Sequence, residues 1–126
     1  MRRVVITGLG IVSPLGVGTD YVWNRLVEGQ SGVSSIQSFD VSDLPAKIAG
    51  IIPRGSKTDG GFDVDEWVEK KEQRKMDVFI TYAMAAATQA VEDSGWLPDD
   101  EEGQNRTGVM IGSGIGGLAG ISEGTL

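Results

Sequence analysis

Two short β-branched runs that pass into glycine constrain this chain more than anything else in it. Residues 3–8 read Arg-Val-Val-Ile-Thr-Gly, and residues 106–111 read Arg-Thr-Gly-Val-Met-Ile ahead of Gly112. Runs of this kind mark strands buried on both faces, as in a parallel sheet. Residues 46–52 (Ala-Lys-Ile-Ala-Gly-Ile-Ile) read as another strand, closed by Pro53. Helical patterns separate the three. Thr19 or Asp20 can cap a helix through Tyr21, Val22, Trp23, Leu26 and Val27, with Gly29 beyond its end. Met76, Phe79, Ile80, Ala83, Ala86, Ala87, Ala90 and Val91 recur at helical spacing over 76–94, and Gly95 then Pro98 stop that helix. Its alanines predict close approach to a sheet or another helix. The order β–α–β–α–β predicts an α/β chain with a mainly parallel sheet. Residues 54–61 read as a surface loop, 63–75 as a densely charged segment and 99–102 as an acidic loop. No internal domain boundary is expected across 1–126, and residues 118–126 read as an element cut short.

What is missing narrows the chemistry. The 126 residues include no cysteine and no histidine. Disulfides, thiolate nucleophiles, Cys-type zinc sites and iron–sulfur clusters are therefore excluded within this sequence, as are Ser-His-Asp triads and His-ligated metals. The net charge is −7, from 18 acidic and 11 basic side chains. An acidic balance disfavours general nucleic-acid binding and leaves room for local basic patches. No apolar stretch reaches the roughly 18 residues of a membrane helix. The N-terminus lacks the long apolar run of a secretory signal, so a cytoplasmic location is expected.

The 19 glycines invite a nucleotide-binding reading. Gly8-Leu9-Gly10 follows the first run, and Gly112, Gly114 and Gly117 fit G-x-G-x-x-G after the last. The first lacks its third glycine, and Pro14 and Gly16 interrupt the helix that should follow. After the second there is no room before Leu126 for the helix, strand and acidic ribose ligand of such a site. Strand ends that turn tightly against a neighbouring backbone explain these glycines better.

Four separated motifs together resemble the start of the β-ketoacyl-acyl carrier protein synthases, nearest to the type II elongating members. They are Arg2-Arg3-Val4-Val5-Ile6-Thr7-Gly8-Leu9-Gly10 with Ser13-Pro14-Leu15-Gly16; Gly29-Gln30-Ser31-Gly32; Lys71-Glu72-Gln73-Arg74-Lys75-Met76-Asp77; and Ile111-Gly112-Ser113-Gly114-Ile115-Gly116-Gly117. The resemblance spans nearly the whole sequence. It implies the N-terminal portion of a thiolase-like fold, incomplete here, in a subunit that usually pairs as a homodimer. It also implies a decarboxylating Claisen condensation with acyl- and malonyl-loaded acyl carrier protein, without a cofactor. In that family a cysteine carries the acyl chain and two histidines stabilise developing charge. This sequence has none of the three, so the chain by itself is expected to be inactive. It is expected to be either an N-terminal segment of a longer enzyme or a non-catalytic relative that binds a synthase or carrier protein.

The same resemblance assigns roles residue by residue. Lys71, Arg74 and Lys75 match positions that help dock the acidic carrier protein. A local cationic cluster on an acidic protein suits such a partner, though a solvated segment paired with Glu69, Glu72 and Asp77 would carry the same charges. Ile115 matches a position lining the acyl pocket, and a branched apolar side chain among small neighbours can change rotamer there; core packing is the alternative. Gly112, Gly114, Gly116 and Gly117 are expected to shape the turn around that pocket.

Overall fold

The structure, a computed structural model, describes residues 2–125. Its contacts divide into two compact units, one from Ile11–Glu66 and the other from the residues before and after that stretch.

Within Ile11–Glu66, two small antiparallel ladders and one helix are held by local bonds. Strands β1 (Val12–Ser13) and β2 (Gly16–Val17) form a hairpin with Val12 opposite Val17. Ser13 pins the turn, its hydroxyl accepting from the Leu15 amide at 3.2 Å and donating to the Gly16 carbonyl at 3.3 Å. Helix α1 (Thr19–Val27) follows at once. Its N-cap is Gly18, without a side-chain cap, so neither Thr19 nor Asp20 takes the capping place expected of it. Gly29 stands just past its end with φ +70°, the left-handed conformation glycine supplies without strain. Arg25 in the last turn reaches back, its Nη1 donating to the Leu15 carbonyl at 2.7 Å and its Nε to Gln30 Oε1 at 2.6 Å. Strands β3 (Val33–Ser35) and β4 (Ile48–Gly50) pair antiparallel, with Ser34 opposite Ala49.

The loop after β4 folds on itself. Ser56 caps a 3₁₀ turn at Lys57–Asp59, and the Glu66 carboxylate accepts from the Lys57 amide at 3.1 Å. Gly60 (φ +71°) then turns the chain against the Tyr21 ring, and the Gly60 carbonyl accepts from the Val17 amide at 3.0 Å. Val17 and Phe62 are the fully buried side chains of this unit. A short 3₁₀ turn at Val64–Glu66 ends it.

The other unit is organised by α3 (Val78–Ser94), preceded by one short turn, α2 (Lys70–Gln73). The sequence pattern located α3 to within two residues at its start and at Ser94. Asp77 is its N-cap and Gly95, with φ +63°, its C-cap. Thr81, Ala85 and Gln89, spaced four apart, are buried along one face. The alanines do admit a close neighbour, but it is the extended chain at 8–10 and not the sheet or helix expected. A Cβ on Gly8 would meet the Ser94 amide at 2.6 Å, and one on Gly10 the Ala90 amide at 2.8 Å, so the chain at 8–10 lies against the α3 backbone. The Leu9 amide donates to Asp93 Oδ2 at 2.8 Å across the same contact. The expected acidic loop instead begins α4 (Glu101–Asn105), capped by Asp100 through the Gly103 amide at 2.7 Å. Helix α5 (Leu118–Thr125) closes the described chain.

The mainly parallel sheet is the expectation that the described residues do not confirm. Both ladders are antiparallel, and the one parallel pairing is an isolated bridge between Arg54 and Phe62. Residues 3–8 and 106–111 form no ladder among the described residues. Val4 is 95% exposed, Ile6 81%, Val109 86% and Met110 98%. The reason is physical: β-branching favours extended backbone, but a ladder also needs a second strand alongside. What the chain forms is a small α/β arrangement with short antiparallel strands.

Candidate functional site

The charged segment and the glycine-rich turn, far apart in sequence, both stand at the beginning of α3. Lys71 lies in α2, Arg74 is the C-cap of that turn, and Lys75 follows before the N-cap Asp77. Why the chain turns here is local. Glu69, extended, precedes the turn; the Glu72 and Gln73 amides bond back to its carbonyl, and Gln73 Nε2 donates to the Val68 carbonyl at 2.7 Å.

The electrostatics separate the three cations. Lys71 pairs with Glu69 at 2.7 Å and Lys75 with Glu72 at 3.2 Å, both at the surface. Exposed pairs of this kind are worth about 1 kcal/mol or less and exchange readily with another anion. Arg74 is exposed and forms no ion pair among the described residues. Its guanidinium is the cation most available to a partner carboxylate or phosphate, to which it can donate two parallel bonds.

The expected pocket residues are spread along the turn. Ile115 is 76% exposed. Nothing lies within 4 Å of a Cβ built on Gly112 or Gly114. Gly116 has φ +85° and would place a Cβ at 3.8 Å from the Phe79 ring. Gly117 is the tight one, for a Cβ there would overlap the Asp77 carboxylate. An apolar groove of about 380 Å³ runs between α3 and the start of this turn, lined by Phe79, Ile80, Ala83, Met84, Ile111, Gly112 and Ser113. A second groove, of about 410 Å³, joins the basic segment to α5 and is lined in part by Arg74, Lys75, Asp77, Gly120 and Glu123. The basic cluster and the glycine turn thus share α3 as a common support.

One participant was not singled out from sequence. Asp77 bonds to the Val78 amide at 2.7 Å through Oδ1 and to the Gly120 amide at 3.1 Å through Oδ2. An aspartate directly ahead of a helical pattern is a capping signal; its second bond, across 43 positions, has no local signature.

Residues 1–125 match the family described as "Beta-ketoacyl synthase, N-terminal domain". The chain is 60% identical over 123 residues to a 3-oxoacyl-[acyl-carrier-protein] synthase 2 from Rhizobium meliloti, covering 98% of this chain and 29% of that relative. It is 46% identical to the protein of the same name from Vibrio cholerae, covering 98% of this chain and 28% of that one. Among solved structures, the ishigamide ketosynthase/chain length factor superposes with a TM-score of 0.63 at 31% identity, over 76% of this chain and 22% of the other. The chain therefore spans under a third of the length of the curated relatives it matches. No helix among the described residues is long and apolar enough to cross a membrane. With a family match along nearly its whole length and the corresponding fold likeness, the chain belongs to the β-ketoacyl synthase family, within that family's N-terminal domain.

Proposed function

We propose that this sequence serves a type II elongating condensing enzyme of fatty acid synthesis, as an N-terminal segment of a thiolase-like subunit. The observation that carries the reading is the 60% identity, over 98% of the chain, to a synthase named for acyl carrier protein. In the proposed reaction an acyl chain sits as a thioester on a cysteine. Malonyl-carrier protein loses carbon dioxide, the resulting carbanion attacks the thioester carbon, and the thiolate leaves. Two histidines stabilise the negative charge that develops. None of these three residues is in this sequence, so they have to come from other residues of the same assembly.

What this chain contributes is recognition and shape. Lys71, Arg74 and Lys75 dock an acidic carrier protein, with Arg74 as the anchoring cation. Ile115 forms a wall of the acyl pocket, and Gly112, Gly114, Gly116 and Gly117 shape the turn that holds it. The assembly is a cytoplasmic homodimer and needs no cofactor. The finer fold proposal is that 1–126 forms a continuous part of the N-terminal half, in which residues 3–8 and 106–111 join a parallel sheet.

The test is the full-length polypeptide that carries this sequence, assayed for malonyl-dependent elongation of acyl-carrier protein. Product formation that depends on a cysteine and two histidines supports the reading, and a polypeptide without those residues or without product removes it. Reversing Arg74 and Lys75 to Glu should weaken carrier binding about tenfold or more at low salt, and less at high salt. Unchanged low-salt affinity would remove the docking role.

A second reading is a non-catalytic relative that binds a synthase or a carrier protein through the same exposed Arg74. That protein would keep the salt-dependent carrier or synthase binding and make no product.

A further inference from the structure

We propose that Asp77 is a positioning residue, whose single carboxylate caps two helices and fixes the glycine-rich turn to the start of α3. Three observations carry it. Oδ1 accepts from the Val78 amide at 2.7 Å, at the N-terminus of α3. Oδ2 accepts from the Gly120 amide at 3.1 Å, in the first turn of α5. The residue just before α5, where a Ser, Thr, Asp or Asn would ordinarily cap the helix, is Gly117. A Cβ at Gly117 would fall on the Asp77 carboxylate, and one at Gly120 would stand at 3.1 Å from Oδ2. So α5 takes its cap from another element, and Gly117 leaves the space through which that cap enters.

The consequence follows from what lies on each side. Lys75 and Arg74 come two and three positions before Asp77, and Ile115 two positions before Gly117. Arg74 and Lys75 line the groove that Asp77 shares with Gly120 and Glu123, and Gly117 stands against the Asp77 carboxylate itself. The carboxylate therefore sets the position of the Ile115 turn relative to the cationic segment. This rests on the proposed roles of those two sets for its meaning in catalysis, and on geometry alone for the link itself.

The experiment uses the full-length polypeptide with D77N, G117A and the double variant. Asparagine caps helices as well as aspartate but offers one acceptor oxygen instead of two. The local bond to Val78 retains that oxygen, because the Gly120 bond must also hold a long loop closed. In D77N, hydrogen exchange of the Gly120 and Ile121 amides should accelerate roughly fivefold to tenfold, the order expected for one lost hydrogen bond, while 78–83 stays protected. G117A should reproduce this, because the methyl group displaces the carboxylate. The double variant should add little to either, since both break one contact.

A second readout separates positioning from mere stability. The ratio of kcat/KM between long and short acyl substrates should move severalfold in D77N, with KM for the carrier protein unchanged. Unaltered exchange at Gly120, additive single effects, or an unmoved chain-length ratio alongside faster exchange would each overturn the proposal. A polypeptide with no condensing activity would remove the proposed function instead, and the exchange data would still decide the link.

Discussion

Residues 11–66 and the remainder of the chain meet the same demand by different means. In the first, nearly every structural bond is made over a short distance or to a turn built for it. The β1–β2 hairpin, the β3–β4 ladder and the Glu66 clamp on the 54–61 loop all close within that unit. In the second, the order comes from helices. Its α3 is capped at both ends and has a buried face, whereas the apolar runs on either side of it in sequence lie open. Helices satisfy their own backbone, while strands depend on a neighbour. A short antiparallel pair finds that neighbour a few residues away; a parallel run needs a crossover to a distant one.

The largest loss that this contrast predicts comes from crowding the chain at 8–10 against the α3 backbone. Gly10→Val in the full-length polypeptide should cost about 3 kcal/mol or more, because the contact is backbone against backbone and no side chain can yield. A denaturant midpoint unchanged from the parent would break the comparison. In the other unit, Gly60→Ala should cost about 2 kcal/mol, from a positive φ and overlap with the Tyr21 ring. There the neighbour is a side chain, so Tyr21→Ala should recover part of the loss. Additivity of those two changes would show that backbone strain alone sets the cost.

The open runs provide a sharper and smaller test. In the 126-residue chain, Val109→Lys and Met110→Lys should shift stability by no more than about 0.5 kcal/mol, as surface substitutions do. They should also reduce self-association, since exposed apolar strands pair with one another. In the full-length polypeptide, the proposed sheet predicts the opposite result. A lysine there would lie in a buried strand and cost several times more. Equal small effects in both settings would reject the parallel sheet for residues 106–111.

The same contrast explains what the sequence made legible. The 76–94 pattern located α3 because apolar spacing and Gly95 agree on its end; its start was set two residues early because the Asp77 cap was not read. The reading of Gly8 and Gly10 as a tight approach was correct because Ala86 and Ala90 supply the small surface that approach needs. Residues 3–8 and 106–111 form no ladder among the described residues, because β-branching reports a preference of the residue and not the presence of a partner. Thr19 and Asp20 lost the capping place to Gly18, whose amide is held at the hairpin by the Ile11 carbonyl at 3.2 Å and whose carbonyl takes the first helical bond, from the Val22 amide at 3.0 Å. At the candidate site, the motif pointed to Lys71, Arg74, Lys75 and Ile115. It could not show that Arg74 alone of the three cations forms no ion pair among the described residues. Nor could it show that Asp77 reaches Gly120. Both are facts of side-chain placement between separate elements.

The smallest effect tests how local the bonds of residues 11–66 are. Asp40 Oδ1 accepts from the Ser42 amide at 3.0 Å. That backbone bond first, and the Ser42 hydroxyl second, hold the carboxyl below its ordinary 3.8. A carboxyl depressed in the folded state stabilises it above the unfolded value, and that contribution disappears as pH falls through the lowered one. The change therefore belongs to the acid side of 3.8 and leaves stability near neutral pH flat. Ser42→Ala removes only the second cause, so a carboxyl titration followed by NMR should move part of the way back toward 3.8 and stop short of it. Complete recovery would mean that the hydroxyl, not the backbone of the turn, holds the charge. Asp40 would then owe its shift to a replaceable side chain, and this loop would be less determined by its own backbone than the rest of residues 11–66.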